Sequence, residues 1–92
     1  FAPVDIDALG SLTNLESLQL ACVNVSDIQT LASLSNLKHL SLWGGKQLQA
    51  IGPLEALTSL EILELKDNII RDLTPLARLS ELFYLDVSGN LI

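Results

Sequence analysis

The chain is short of the residues that most chemistry needs. Its 92 residues include one cysteine, one histidine, one tryptophan, one tyrosine and no methionine. The lone cysteine, Cys22, allows no internal disulfide, and one histidine with one cysteine cannot supply the convergent ligands of a metal site. Basic residues are scarce, with 5 Lys and Arg against 11 Asp and Glu, a formal net charge of −6. A nucleic-acid-binding domain should carry a basic stripe, so that class of partner is excluded. Long uncharged apolar runs are missing as well. Glu16, Asp27, Lys38 and Lys46 interrupt every stretch that approaches the roughly 18 residues of a membrane span. The opening segment FAPVDIDALG lacks the basic start and apolar centre of a signal peptide. It also lacks an initiating methionine, and the 92 residues read as a mature or excised piece of something longer. That length suffices for one small domain.

What the chain does hold is leucine. Hydrophobic residues make up 49% of it but aromatics only 4%, so the burial available is aliphatic. Alignment of the chain with itself shows how that apolar weight is distributed. LTNLESLQL begins at Leu12, LSNLKHLSL at Leu34, LTSLEILEL at Leu57 and LSELFYLDV at Leu79, steps of 22, 23 and 22 residues. The preceding tails repeat too: DIQTLAS, AIGPLEA, DLTPLAR and a partial DIDALGS at the front. Nearly the whole chain, residues 1–92, is one motif used about four times.

Each unit spaces its leucines L-x-x-L-x-L and follows them with an Asn slot. The third unit is the cleanest, with Leu60, Leu63, Leu65, Asn68 and Ile70; the fourth reads Leu82, Leu85, Val87, Asn90 and Ile92. L-x-L describes a short strand with alternate residues turned inward. The threefold spacing of Leu73, Leu76 and Leu79 suits a tight helical turn on the opposite side of the coil. A single coil cannot bury its leucines, so each needs another stacked on it. The chain resembles the leucine-rich repeat superfamily along nearly its full length. Its tails, SDIQTLASLSNL and RDLTPLARLSEL, resemble the internalin-type repeat of bacterial surface proteins; a similar 22-residue form occurs in a eukaryotic phosphatase-regulator subclass. The resemblance implies a right-handed α/β solenoid with a short parallel sheet on its concave face and 3₁₀ or helical turns on its convex face. Strands should centre on Leu18–Leu20, Leu40–Leu42, Leu63–Leu65 and Leu85–Val87, with helical turns near Leu31, Leu54 and Leu76.

Two units depart from the family pattern. The Asn slot is Val23 in the first and Gly45 in the second, and these turns should be less regular because their backbone groups must find other partners. The stretch HLSLWGGKQL, residues 39–48, also carries the extra residue of the 23-residue unit. A phosphate loop would need a glycine where Leu40 stands and Ser or Thr where Gln47 stands. The Gly44–Gly45–Lys46 segment therefore reads as a lengthened turn in which the two glycines supply positive φ. His39 and Cys22 are the one base and thiol available. Five positions along the strand and turn separate their columns, on the order of 16 Å, beyond hydrogen-bond reach. Cys22 reads as a small turn residue near the coil interior. No enzyme signal survives, and no cofactor is implied.

With the leucines assigned inward, three outward columns cross the sheet. They are Ser17, His39, Ile62, Tyr84; then Gln19, Ser41, Glu64, Asp86; then Ala21, Trp43, Lys66, Ser88. The candidate protein-binding residues are His39, Ser41, Trp43, Ile62, Glu64, Lys66, Tyr84 and Asp86. Trp and Tyr dominate binding hot spots, and both stand on this face with an isoleucine between them. The alternative for Trp43 is that it folds over the lengthened turn. Glu64 and Asp86 are adjacent like charges, unfavourable unless a cation relieves them; Lys66 or a partner's Lys or Arg could do so. Glu16, Lys38 and Glu61 form a separate column of alternating sign that reads as structural.

The function expected is a non-enzymatic protein-interaction module that binds along its concave face. The alternatives are a structural spacer within a longer solenoid, or a regulatory domain attached to an enzyme. The internalin likeness favours a bacterial surface or secreted protein, the phosphatase-regulator likeness a cytosolic one. The last coil, including Leu82, Leu85, Val87 and Leu91, should present apolar surface and open strand edges, which implies end-to-end self-association or flanking coils or caps in the parent protein.

Overall fold

Leucines three residues apart are linked through the backbone, each N–H bonding to the carbonyl of the apolar residue one turn before. Leu31 donates to Ile28, Leu34 to Leu31 and Leu37 to Leu34, at 2.9 to 3.0 Å. The series recurs as Leu54, Leu57 and Leu60, and again as Leu76, Leu79 and Leu82. At three residues per turn these side chains eclipse one another and face one side, which is what the threefold spacing demands. The computed structural model describes residues 6–21 and 25–92. Within them, 3₁₀ turns cover Asp7–Ser11, Gln29–Ser33, Gly52–Ala56 and Thr74–Leu76. The last three coincide with the turns expected near Leu31, Leu54 and Leu76. Asp27 and Asp72 each accept a bond at 2.9 Å from the N–H two residues on, at Gln29 and Thr74, and so start their turns. Pro53 and Pro75 fall at the first positions of theirs, where a missing N–H costs nothing.

Four strands follow: β1 Ser17–Ala21, β2 His39–Trp43, β3 Ile62–Glu64 and β4 Tyr84–Asp86. They form one parallel sheet in sequence order. At the start of the ladder the carbonyls of Glu16, Lys38 and Glu61 each accept two N–H groups from the next coil. The register pairs Ser17, His39, Ile62 and Tyr84 across the sheet, and likewise Gln19, Ser41, Glu64 and Asp86. These are the first two columns read from the repeat. The third is half a ladder: Ala21 pairs with Trp43, but Lys66 and Ser88 lie past the ends of β3 and β4. Their carbonyls instead accept from the turn before, Gly44 N–H to Lys66 and Asp67 N–H to Ser88, both at 2.9 Å.

The core is the stack of inward leucines. Leu34, Leu37, Leu40, Leu57, Leu60, Leu63 and Leu65 are fully buried. The outer coils are less covered, with Leu18 and Leu20 half-buried and Leu85 41% exposed. A coil needs a neighbour on each side to bury completely, and this gradient follows from that rule.

The turn that leaves the sheet corrects one expectation. Gly44, Asp67 and Gly89 occupy equivalent places in three coils and have φ of 85°, 58° and 71°. A left-handed residue there is part of the regular turn and not a device of the lengthened one. The extra residue is absorbed at Lys46, also left-handed at φ 57°; Gly45 is not. Lys46 N–H gains a bond of its own, to the Asp67 carbonyl at 3.1 Å. This coil lacks the Asn of its own turn, and its Leu42 carbonyl still accepts the bond from the next coil, from Asn68 Nδ2 at 2.7 Å. Cys22 and Val23, and so the expectations placed on them, lie outside the described residues.

Candidate functional site

The outward face of the sheet collects the candidate residues because strand side chains alternate and the leucines take the inward positions. Trp43 ends β2 and is 39% exposed; Tyr84 begins β4 and is 51% exposed. His39 and Ile62 are half-buried and share the first column with Tyr84. Ser41 is different. It is 3% exposed, enclosed in the middle of the five-residue β2, and offers almost no surface.

Trp43, Glu64, Lys66 and Asp86 line a hollow of about 280 Å³. Four of the eight residues selected from sequence therefore meet in one place. His39 meets Glu64 through Nε2 and Oε1, 2.8 Å apart, on the diagonal between β2 and β3. The contact is an ion pair whenever the imidazole is protonated.

The adjacent carboxylates of Glu64 and Asp86 each hydrogen-bond a group other than Lys66. Glu64 turns to His39. Asp86 accepts the Ser88 hydroxyl at 2.7 Å and the Ser88 N–H at 3.0 Å through Oδ1. Those two bonds, the hydroxyl's the stronger influence, hold its carboxyl below the usual aspartate range, with Lys66 contributing least. Lys66 itself makes no ion pair within 4.0 Å among the described residues. In the separate Glu16, Lys38 and Glu61 column, the one pair is Lys38 with Glu16, at 4.0 Å and largely in solvent.

Reading from sequence overlooked Phe83, 73% exposed beside Tyr84. The signal was present: Phe83 stands in the column where the other coils place Glu16, Lys38 and Glu61. A shallow depression of about 430 Å³ lies among the 3₁₀ turns, lined by Gln29, Ala32, Gly52, Pro53, Glu55 and Ala56. It has no aromatic residue and one charged residue. Among the described residues no three His, Cys, Asp or Glu side chains are grouped to hold a metal ion. No helix among them is long and apolar enough to cross a membrane.

The family described as Leucine Rich repeats (2 copies) matches residues 13–56 and 35–78. Among solved structures, an internalin (inlF) from Listeria monocytogenes is 38% identical with a TM-score of 0.91, covering 96% of this chain and 26% of its own. An internalin C2 (inlC2) from the same organism is 36% identical with a TM-score of 0.91, covering 95% of this chain and 38% of its own. The chain thus spans about a quarter and about two-fifths of the lengths of these two structures. No curated protein matches it.

Proposed function

The chain belongs to the leucine-rich repeat family, and on that premise we propose that it is a non-enzymatic module binding a protein partner through the concave sheet face. Leucine-rich repeat domains generally mediate protein–protein interaction. The observation that carries the reading for this chain is the hollow beside Trp43, with Tyr84 exposed on the same face. Aromatic side chains left open on a rigid sheet cost little entropy when a partner covers them, and they supply most of the binding energy of small interfaces. The contact set is Trp43, Glu64, Lys66, Tyr84 and Asp86, with His39 and Ile62 at its edge in the first column. Ser41, 3% exposed, is left out of it.

Selection of binders from a displayed library of small folded domains tests the reading. Binders raised against the wild-type chain should lose affinity at least about tenfold for Trp43→Ala or Tyr84→Ala, each a loss above about 1.4 kcal/mol. They should bind Gln29→Ala and Glu55→Ala, on the opposite side, as they bind wild type. Binders that depend on Gln29 and Glu55 but ignore Trp43 and Tyr84 would move the site to the 3₁₀ side.

The last coil supports a second kind of contact. Phe83, Leu85 and Ile92 are 73%, 41% and 65% exposed around β4, a strand paired on one side within the described sheet. End-to-end association of the 92-residue chain through this surface is part of the proposal, and sedimentation across a concentration series reads it directly.

A further inference from the structure

We propose that the hollow on the sheet face is a socket for an arginine side chain carried by the protein partner. The proposal rests on the concave-face reading and adds the chemistry of what enters there. The hollow combines one indole, two carboxylates and one ammonium, those of Trp43, Glu64, Asp86 and Lys66. An anionic group entering it would meet two carboxylates. An apolar one would strip water from both without replacing it, at the cost of burying unpaired charge. A bare metal ion would find too few ligands, since no three His, Cys, Asp or Glu side chains among the described residues are grouped to hold one. An organic cation fits.

Arginine fits better than lysine. Its guanidinium is flat enough to stack on the Trp43 indole while its in-plane N–H groups reach carboxylates at the edge. Lysine offers a point charge that can satisfy one of these contacts well but not both. The carboxylates are already held for the purpose. Glu64 is tied through Oε1 to His39 and Asp86 through Oδ1 to Ser88, while Oε2 and Oδ2 accept from no donor among the described residues. Held acceptors give a charge-assisted bond without the entropy of ordering them. Lys66 does not cancel the site: one ammonium faces two carboxylates, makes no ion pair within 4.0 Å among the described residues, and sits on a flexible stem able to swing toward a partner's acid. The net charge of −6 adds long-range attraction for a cationic partner.

Trp43 is the chain's one tryptophan, so its fluorescence and its indole N–H resonance report on the socket alone. The probes are three blocked pentapeptides, identical in their glycine flanks, with arginine, lysine or citrulline at the centre. Citrulline keeps the shape of arginine without its charge. Titrated into the 92-residue chain at low salt, the arginine peptide should shift the indole resonance saturably. Lysine should bind about threefold or more weakly and citrulline about tenfold or more weakly. Glu64→Gln with Asp86→Asn should weaken the arginine peptide by about tenfold. The proposal is overturned by equal binding of citrulline, by equal binding of lysine, by an unchanged response in the double variant, or by no saturable shift at all. Should any of these occur while selected protein binders still require Trp43, the arginine socket fails and the concave-face reading stands.

Discussion

Asn68 and Asn90 hold the same place in successive coils, and each amide spans two of them. Asn68 Nδ2 donates to the carbonyls of Leu65, at 3.1 Å in its own turn, and of Leu42, at 2.7 Å in the turn before. Asn90 Nδ2 repeats this with Val87 and Leu65, both at 2.9 Å, and its Oδ1 accepts the Ile70 N–H at 3.0 Å. The pair forms a polar ladder that satisfies turn carbonyls which the leucines cannot. Asn68 is 6% exposed, and its removal takes the amide donor from the Leu42 carbonyl and leaves Leu65 with Asn90 alone. Asn68→Ala should cost roughly 2–3 kcal/mol, with Asn90→Ala nearer 1 because its site is more open. Urea denaturation measures both, and equal small losses would show that the ladder is not structural.

The strand register predicts opposite outcomes for neighbours. Leu63 is fully buried, and Leu63→Ala should destabilise by roughly 2–5 kcal/mol. Glu64, one residue on, faces outward with its bond to a half-exposed His39. Glu64→Ala should cost about 1 kcal/mol or less, the range of partly solvated pairs. Similar losses for the two in chemical denaturation would refute the register.

The left-handed position of each turn predicts a change of sign. Gly89 has φ of 71°, and a Cβ built there collides with the Asp67 carboxylate. Gly89→Ala should lose about 1–3 kcal/mol. Lys46 carries a full side chain at φ 57°, so Lys46→Gly should be neutral or stabilise by up to about 1 kcal/mol. Thermal melts of the two variants moving in the same direction would contradict this account of the turn.

Acid sensitivity follows from two exposed aspartates. The Thr74 N–H, then the Thr74 hydroxyl, hold the Asp72 carboxyl below its ordinary value; the Ser88 hydroxyl, then the Ser88 N–H, do so for Asp86. A carboxyl lowered in the folded state binds its proton less readily there than in the unfolded chain. Its stabilisation is therefore complete above the unfolded value, about 4, and is lost as pH falls through the lower folded value. Replacing both by asparagine should flatten the fall in stability below about pH 4 and leave its slope near neutrality unchanged. An unchanged acid limb would show that neither carboxylate is linked to folding.

The repeat made most of the fold legible. Its steps placed the strands, the register and three of the 3₁₀ turns, because one spacing rule governs all the coils. Legibility ended where side chains choose among partners. The columns pointed to Lys66, two residues along the same coil, as the local partner of Glu64, whereas the His39 imidazole on the diagonal takes it. Ser41 occupies an outward column, yet the neighbouring strands bury it. Gly45 looked like the site of positive φ because glycine tolerates it, whereas the turn places that conformation at Gly44 and Lys46. Phe83 was read as part of a repeat unit rather than as an exception to its charged column.

The footprint of a selected binder on the chain locates the binding face directly. Cross-saturation between the bound partner and an isotope-labelled 92-residue chain identifies the residues in contact. Transfer should concentrate on Trp43, Glu64, Lys66, Tyr84 and Asp86 and be absent from the 3₁₀ turns at Gln29–Ser33 and Gly52–Ala56. A footprint centred on those turns, with the Trp43 indole untouched, would contradict it.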